Sequence, residues 1–357
     1  MKTLRRYLAR EIMLATALVM AALLMLFAFF DLVEEIRDLG RGTYQLRHIA
    51  RHVLLSIPTR VYELFPIAAL IGTLFALAQM VASSEYTVMR TSGVSITRMV
   101  MAIMSVGLWF ALLTFVFGEY VGPLADQTAQ RLRSRAITGI VAQEFRSGLW
   151  MKDDTRFINV LEVAPDGNLK GVRIYEFDQA AKLQRVRFAA RGSYQGERRW
   201  LLEDIVQTTF TDVRTEVSKM PSEVWQSVLE PSLLNVLLIK PEKMSAASLY
   251  SYAQHLRENR QKTLRYEIAM WSKAAYPAAV LTMMLLALPF SYVQRRQGGV
   301  GAKIFTGIML GLAFFFLSRL SGYLGLLNEW PPVASALLPT AMFLCLALAM
   351  MAWQERR

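Results

Sequence analysis

The sequence predicts a polytopic α-helical membrane protein, with six transmembrane helices in two groups of three flanking one water-exposed antiparallel β domain. Three observations carry this. Hydrophobic residues make up 54% of the 357 residues while 19% are charged, so long apolar segments coexist with a solvated part. Six segments have the ~20 predominantly apolar residues that a helix needs to cross a bilayer. Between the third and the fourth, β-branched and aromatic runs are broken by turn residues.

The first span, Ile12–Val33, is too long for a signal peptide and lacks a small-residue cleavage site after its apolar stretch, so it is read as a retained helix. The Glu34–Arg60 loop leads to spans at Val61–Ala82 and Met99–Val121, and residues 1–122 form the first unit. Residues 123–268 form the β domain, with flanking helices expected at Ala125–Ile137 and Ala246–Glu267. Within it, TRFINVLEVAPDGNLKGVRIYEFD divides at the turn Pro165-Asp166-Gly167-Asn168, and LQRVRFAARGSYQGERRWLLEDIV divides at Gly196-Glu197. Short strands at this spacing predict a sandwich or jelly roll. Residues 269–357 carry the spans Met270–Val293, Ile304–Leu324 and Val333–Trp353.

Lys and Arg in short segments set orientation. Lys2, Arg5, Arg6 and Arg10, then Arg295, Arg296 and Lys303, then Arg356 and Arg357 place both termini in the cytoplasm. By alternation Met80–Ser95 is cytoplasmic, and Glu34–Arg60 and Gly122–Ala269 lie outside. Trp271, Trp330 and Trp353 fall near span ends, as an aromatic belt would. Arg37, Arg41, Arg47, Arg51 and Arg60 sit outside, against the trend. Lipid headgroups and positive-inside loops account for the net charge of +12 better than nucleic acid does. The single cysteine, Cys345, excludes an intramolecular disulfide.

Catalytic constellations are scarce. His48 and His52, four apart, could share a helix face, but Arg47 and Arg51 would repel a cation and no neighbouring ligand completes a metal site. No intramembrane pair of carboxylates suggests a protease or proton relay. The GGVGAK piece at Gly298–Lys303 has the wrong spacing for a phosphate-binding loop and lacks its Ser or Thr. Between the second and third spans, MVASSEYTVMRTSGVS reads as a short helix. Ser83 or Ser84 can cap it, Glu85 suits its first turn, Tyr86 and Met89 share a face, Arg90 lies in the last turn, and Gly93 supplies the left-handed stop. Two or three turns are marginal in water, so this helix must pack on something. Two readings stand: a loop on the membrane surface, or a knob seated in a cytoplasmic ATPase.

The run SSEYTVMRTSGVS resembles the coupling segment of the LptF/LptG family of lipopolysaccharide-export permeases. LFPIAALIGTL at Leu64–Leu74, GEYVGP at Gly118–Pro123, GLW at Gly148–Trp150 and MWSK at Met270–Lys273 agree in order, as do TGIMLG at Thr306–Gly311 and PP…ALLP at Pro331–Pro339. The likeness runs nearly the whole length, and GRGTY at Gly40–Tyr44 with Trp271-Ser272-Lys273 brings it closer to the LptG branch. It implies a non-enzymatic permease of the Gram-negative inner membrane with a periplasmic jelly roll. Residues 83–95 become the coupling helix, with Ser84, Glu85, Tyr86, Met89, Arg90 and Gly93 meeting an LptB-like ATPase dimer. That ATPase uses ATP and Mg; this chain is expected to hold no cofactor and no metal. Its other implied partners are an LptF-like permease, LptC-like and LptA-like bridge proteins, lipopolysaccharide and membrane lipid, with no nucleic acid.

On that resemblance the outer basic residues gain a ligand. Arg37, Arg41, Arg60, Arg133, Lys273 and Arg319, with Tyr44, are expected to meet lipid A phosphates, with bidentate pairing available to Arg. Snorkelling to ordinary lipid phosphates is the plainer reading of the outer arginines. Leu26, Phe30, Phe65 and Phe315 are expected to face acyl chains. Asp31 and Asp38 depart from the family pattern, where Lys is more familiar, and Arg319 stands where a neutral amide is. Arg37, Arg41 and Arg319 are expected to compensate.

Overall fold

The structure is a computed structural model that describes residues 2–136, 148–153, 156–163, 168–178, 182–196, 199–211, 214–227, 241–258, 261–293 and 300–355. Its helices are α1 (Lys2–Ile36), α2 (Leu46–Ala82), α3 (Glu85–Thr91), α4 (Ile96–Val116), α5 (Gly122–Ala136), α6 (Ala246–Glu258), α7 (Leu264–Val293), α8 (Val300–Leu327) and α9 (Pro332–Glu355). Six stretches are long and apolar enough to cross a membrane, and each overlaps an expected span. The helices outrun those spans. α2 begins at Leu46, so the basic Arg47–Arg60 segment forms its first turns, and α4 runs into α5 through a π-helical turn at Phe117–Val121. The exit helix is shorter than expected, ending at Glu258 before α7 begins at Leu264.

α2 and α7 form the centre of the helical part. Of their apolar windows 78% and 61% are buried, against 22% for α1 and α8, whose remaining surface is left for lipid or another chain. Leu70, Leu74 and Leu77 of α2 meet Val280, Met283 and Leu286 of α7 in one core cluster. Apolar burial gives helices no reason to associate in lipid, so close approach through small residues does the work. Gly72 of α2 lies against Thr16 of α1, while Gly307 and Gly311 of α8 face α2. A Cβ at Gly311 would sit 2.9 Å from Ile67 Cγ2. The TGIMLG run is therefore a packing surface.

Pro123 explains the π turn. A proline donates no N–H and crowds the preceding turn, and widening that turn relieves the crowding. The Gly122 N–H accordingly reaches Phe117 O, five residues back. In that register Gly118 O would be served by residue 123, which has no proton to give.

The strands β1 (Leu149–Asp153), β2 (Arg156–Val163), β3 (Leu169–Phe177), β4 (Leu183–Gly196), β5 (Arg199–Phe210) and β6 (Thr215–Gln226) form one antiparallel sheet in consecutive order. The two runs read from the sequence supply β2 to β5. Pro165, Asp166, Gly167 and Glu197 of the expected turns lie outside the described residues, as do Arg295, Arg296, Arg356 and Arg357. β6 carries Pro221, which an edge strand tolerates because one row of its backbone groups is not needed for a ladder, and among the described residues β6 pairs only with β5. Alternation puts Leu149, Ile158, Val172, Ile174, Ala189, Ile205 and Trp225 into one cluster drawn from all six strands. A flat sheet cannot gather its two edges, so this sheet curls over its own inner face. Ser227, just past β6, donates to Asp153 at the end of β1 at 3.2 Å.

Candidate functional site

At one end of the bundle, α3 bridges α2 and α4. Ser83 closes α2, with its hydroxyl donating back to Met80 O at 3.3 Å, and Ser84 takes a left-handed φ of 62° that redirects the chain into α3. Of the two candidate caps, Ser83 is thus the stop of α2, while the Ser84 carbonyl accepts from the Val88 N–H at 3.1 Å at the start of α3. Tyr86 is 5% exposed and Met89 packs beside it on the core cluster, which fixes one face of the short helix. Gly93 at φ 85° ends it, and the Val94 N–H reaches Met89 O at 3.1 Å in the six-to-one bond of a left-handed helix stop. Val88 is left exposed on the free face. Glu85 accepts a hydrogen bond from the Tyr7 hydroxyl at 2.9 Å. Leu8 and Ile12, 2% and 0% exposed, anchor that part of α1, so Tyr7 is a fixed partner for α3. The Arg90 side chain lies outside the described residues.

At the end carrying α5, the basic residues expected at the ligand separate into groups. Arg60 is fully engaged: its Nε and Nη2 grip Asp31 at 3.0 and 2.6 Å, and Nη1 meets Glu63 at 2.8 Å. Arg133 pairs with Asp38 and lies 3.6 Å from Glu35, while Arg41 takes Asp38 at 2.5 Å. Asp31 and Asp38 are thus carboxylates that neutralise these arginines. Arg37 is exposed.

Tyr44, expected at the ligand, is instead 1% exposed and donates to Glu35 at 2.7 Å. Burial, then that hydrogen bond, raises the Tyr44 phenol above its ordinary range. His52 lies 3.4 Å from the same carboxylate, a neighbour the sequence did not reveal, and His48 accepts from the Gln45 N–H at the start of α2. These side chains fasten α1, α2 and α5 together. Among the described residues no group of three or more His, Cys, Asp or Glu could hold a metal.

Lys273, Phe315 and Arg319 come together. They line a cavity of about 210 Å³ between α2, α7, α8 and α9, walled further by Tyr62, Tyr276 and Phe314. Arg265, Glu63 and Glu242 add charge at its rim. Arg319 stacks over the Phe315 ring at 5.4 Å, and Lys273 over Tyr62 at 5.4 Å. Lys273 Nζ donates to Gly118 O at 2.8 Å, supplying the proton that Pro123 lacks. The π turn therefore holds the ammonium at the cavity wall. Beside it Glu119 accepts from the Ala246 and Ala247 N–H groups at 2.7 and 3.0 Å, capping α6. Two features of GEYVGP, the proline and the glutamate, so tie the third span to α7 and to the exit helix.

The apolar residues divide similarly. Leu26, Phe30 and Phe315 are 49%, 55% and 42% exposed, open to lipid or ligand. Phe65, expected among them, is 6% exposed and packs edge-on against Phe110, because α4 covers that side of α2.

The family model described as lipopolysaccharide export system permease LptF/LptG matches residues 6–353. The lipopolysaccharide export system permease protein LptG of Escherichia coli (strain K12) is 32% identical over 347 residues, covering 97% of this chain and 96% of that protein. The protein of the same name from Haemophilus influenzae is 32% identical over 343 residues, covering 96% of each.

Proposed function

The chain belongs to the lipopolysaccharide export system permease LptF/LptG family, and on that premise we propose how its parts divide the work. It is a permease subunit of the lipopolysaccharide transporter, not an enzyme. The cavity takes the lipid: Lys273 and Arg319 meet the headgroup phosphates while Phe314 and Phe315 accept the start of the acyl chains. The observation that carries this is the convergence of two cations and an aromatic wall in one cavity among apolar helices. Arg37 and Arg41 serve as outer contacts, whereas Arg60 and Arg133 hold the helices in register through their carboxylates.

α3 is the coupling helix. It seats in an LptB-like ATPase dimer, where ATP and Mg are used, with Glu85 and the exposed Val88 meeting the groove. The curled sheet is a jelly roll on the periplasmic side, and its β6 edge or its β1 edge continues into LptC-like and LptA-like proteins by strand addition. An LptF-like permease covers the exposed faces of α1 and α8. Both termini are cytoplasmic, in the inner membrane.

Lipopolysaccharide retention by the purified transporter in nanodiscs tests the cavity. Arg319→Gln is expected to lower retention about tenfold, the worth of one charge-assisted hydrogen bond. Retention equal to the parent would remove the cavity from the lipid's path.

A further inference from the structure

We propose that the inner face of the β sheet holds a site for a phosphate-type oxyanion, built on Arg156, Arg185 and Arg187. Arg185 and Arg187 stand two apart on β4 and so project from the same face. Arg187 pairs across strands with Ile174, which is 1% exposed in the sheet's core, and Arg187 itself is 7% exposed. An arginine is seldom buried this deeply without compensation. Three guanidiniums converge on Glu176: Arg187 Nη2, Arg185 Nη1 at 3.3 Å and Arg156 Nε at 3.7 Å. From β6, Glu223 reaches Arg187 Nη1 at 3.0 Å. Among the described residues, three cations thus face two carboxylates, leaving one positive charge in surplus.

The donors are also in surplus. Arg185 Nε and Arg187 Nε are both buried without a hydrogen-bond partner. A buried N–H on a charged group left without an acceptor is costly, and an acceptor rich in oxygens relieves it. Arg156 and Arg185 keep 42% of their side-chain surface exposed, so the cluster can be entered from solvent on their side. Glu223, 40% exposed and on an edge strand, meets only Arg187 in the cluster, whereas Glu176 meets all three arginines. Glu223 is therefore the carboxylate that an incoming anion displaces. Its departure frees the Arg187 Nη1 N–H, on the opposite edge of that guanidinium from Nε. With donors to satisfy on more than one edge, an acceptor rich in oxygens such as phosphate suits the cluster better than a carboxylate with two. A phosphorylated lipid headgroup and free phosphate share this chemistry. The site is separate from the cavity among the helices and does not depend on the reading of that cavity.

The test uses the full-length chain in phosphatidylcholine nanodiscs, with thermal unfolding followed in inorganic phosphate and in chloride at matched ionic strength. Phosphate is expected to raise the unfolding temperature of the wild type in a saturable way and to leave Arg187→Gln unmoved. Arg187→Gln could also weaken the sheet, so Glu223→Gln is the decisive variant. It removes the competing charge and should bind phosphate about tenfold more tightly. A second arm replaces inorganic phosphate with lipopolysaccharide, either intact or with its phosphates removed. Stabilisation of Glu223→Gln by the intact form alone assigns the lipid headgroup as a source; no difference between the two forms assigns free phosphate. Equal unfolding in phosphate and chloride, for both the wild type and Glu223→Gln, overturns the site.

Discussion

Replacing Lys273 by Met is expected to destabilise the helical part by about 2–4 kcal/mol, and the origin of that loss can be isolated. Met keeps most of the unbranched stem and its packing, so little cavity is created. What goes is the donor to Gly118 O, at 2.8 Å, and the cation over Tyr62, at 5.4 Å. Stranding a buried carbonyl after removal of a charged donor costs about 1.5–3 kcal/mol. Losing the cation–π contact adds about 0.5–1 kcal/mol. The carbonyl is stranded only because position 123 is proline, so Pro123→Ala supplies an N–H nearby. In that background Lys273→Met should cost at least about 1.5 kcal/mol less, the share assigned to the carbonyl. A double-mutant cycle read by equilibrium unfolding in mixed micelles measures this. Equal costs for Lys273→Met in the two backgrounds would refute the account of the π turn.

Tyr7→Phe removes one hydroxyl and should loosen α3 by about 0.5–1.5 kcal/mol, lowering ATPase-subunit affinity less than Glu85→Lys, which adds a repulsive charge; co-purification ranks the two. Gly311→Leu puts a side chain where Ile67 stands 2.9 Å from a bare Cβ, so α8 must move off α2 and lipopolysaccharide retention should fall even though no cavity residue has changed. Ile174→Pro breaks a ladder bond in the middle of the sheet and should unfold the β domain while the spans still insert, which limited proteolysis reports. For Tyr44 the folded phenol titrates above its unfolded range. Its contribution is thus complete below about pH 10, the unfolded phenol value, and is lost as pH rises through the folded value. Tyr44→Phe should remove that alkaline dependence from the unfolding profile.

The spans were legible because apolar run length is a local property, and β2 to β5 because alternation and turn residues are local too. β6 was hidden by Pro221, which reads as a strand breaker until the strand is known to be an edge. β1 has only five residues, too few to show a period. The face of α3 followed from the spacing of Tyr86 and Met89, yet its tether to Tyr7 joins residues 78 apart and leaves no local mark. The basic residues show the same limit. Their number could be read from the chain, but not which of them meets a carboxylate. Asp31 and Asp38 looked like losses of positive charge and prove to be the partners of Arg60, Arg41 and Arg133. Phe65 and Phe315 have the same chemistry and lie in similar runs, and only the position of α4 sends one to the core and leaves the other at the cavity.

The central claim, that lipopolysaccharide enters the cavity between α2, α7, α8 and α9, is tested most directly by photo-crosslinking. A benzophenone amino acid is placed at Phe315, which lines the cavity, or at Met342, which is 49% exposed on α9 and outside that lining. In the reconstituted transporter without ATP, the substitution at Phe315 should label lipopolysaccharide strongly and the one at Met342 weakly. Strong labelling at Met342 with none at Phe315 would contradict the claim and place the lipid on another face of the bundle.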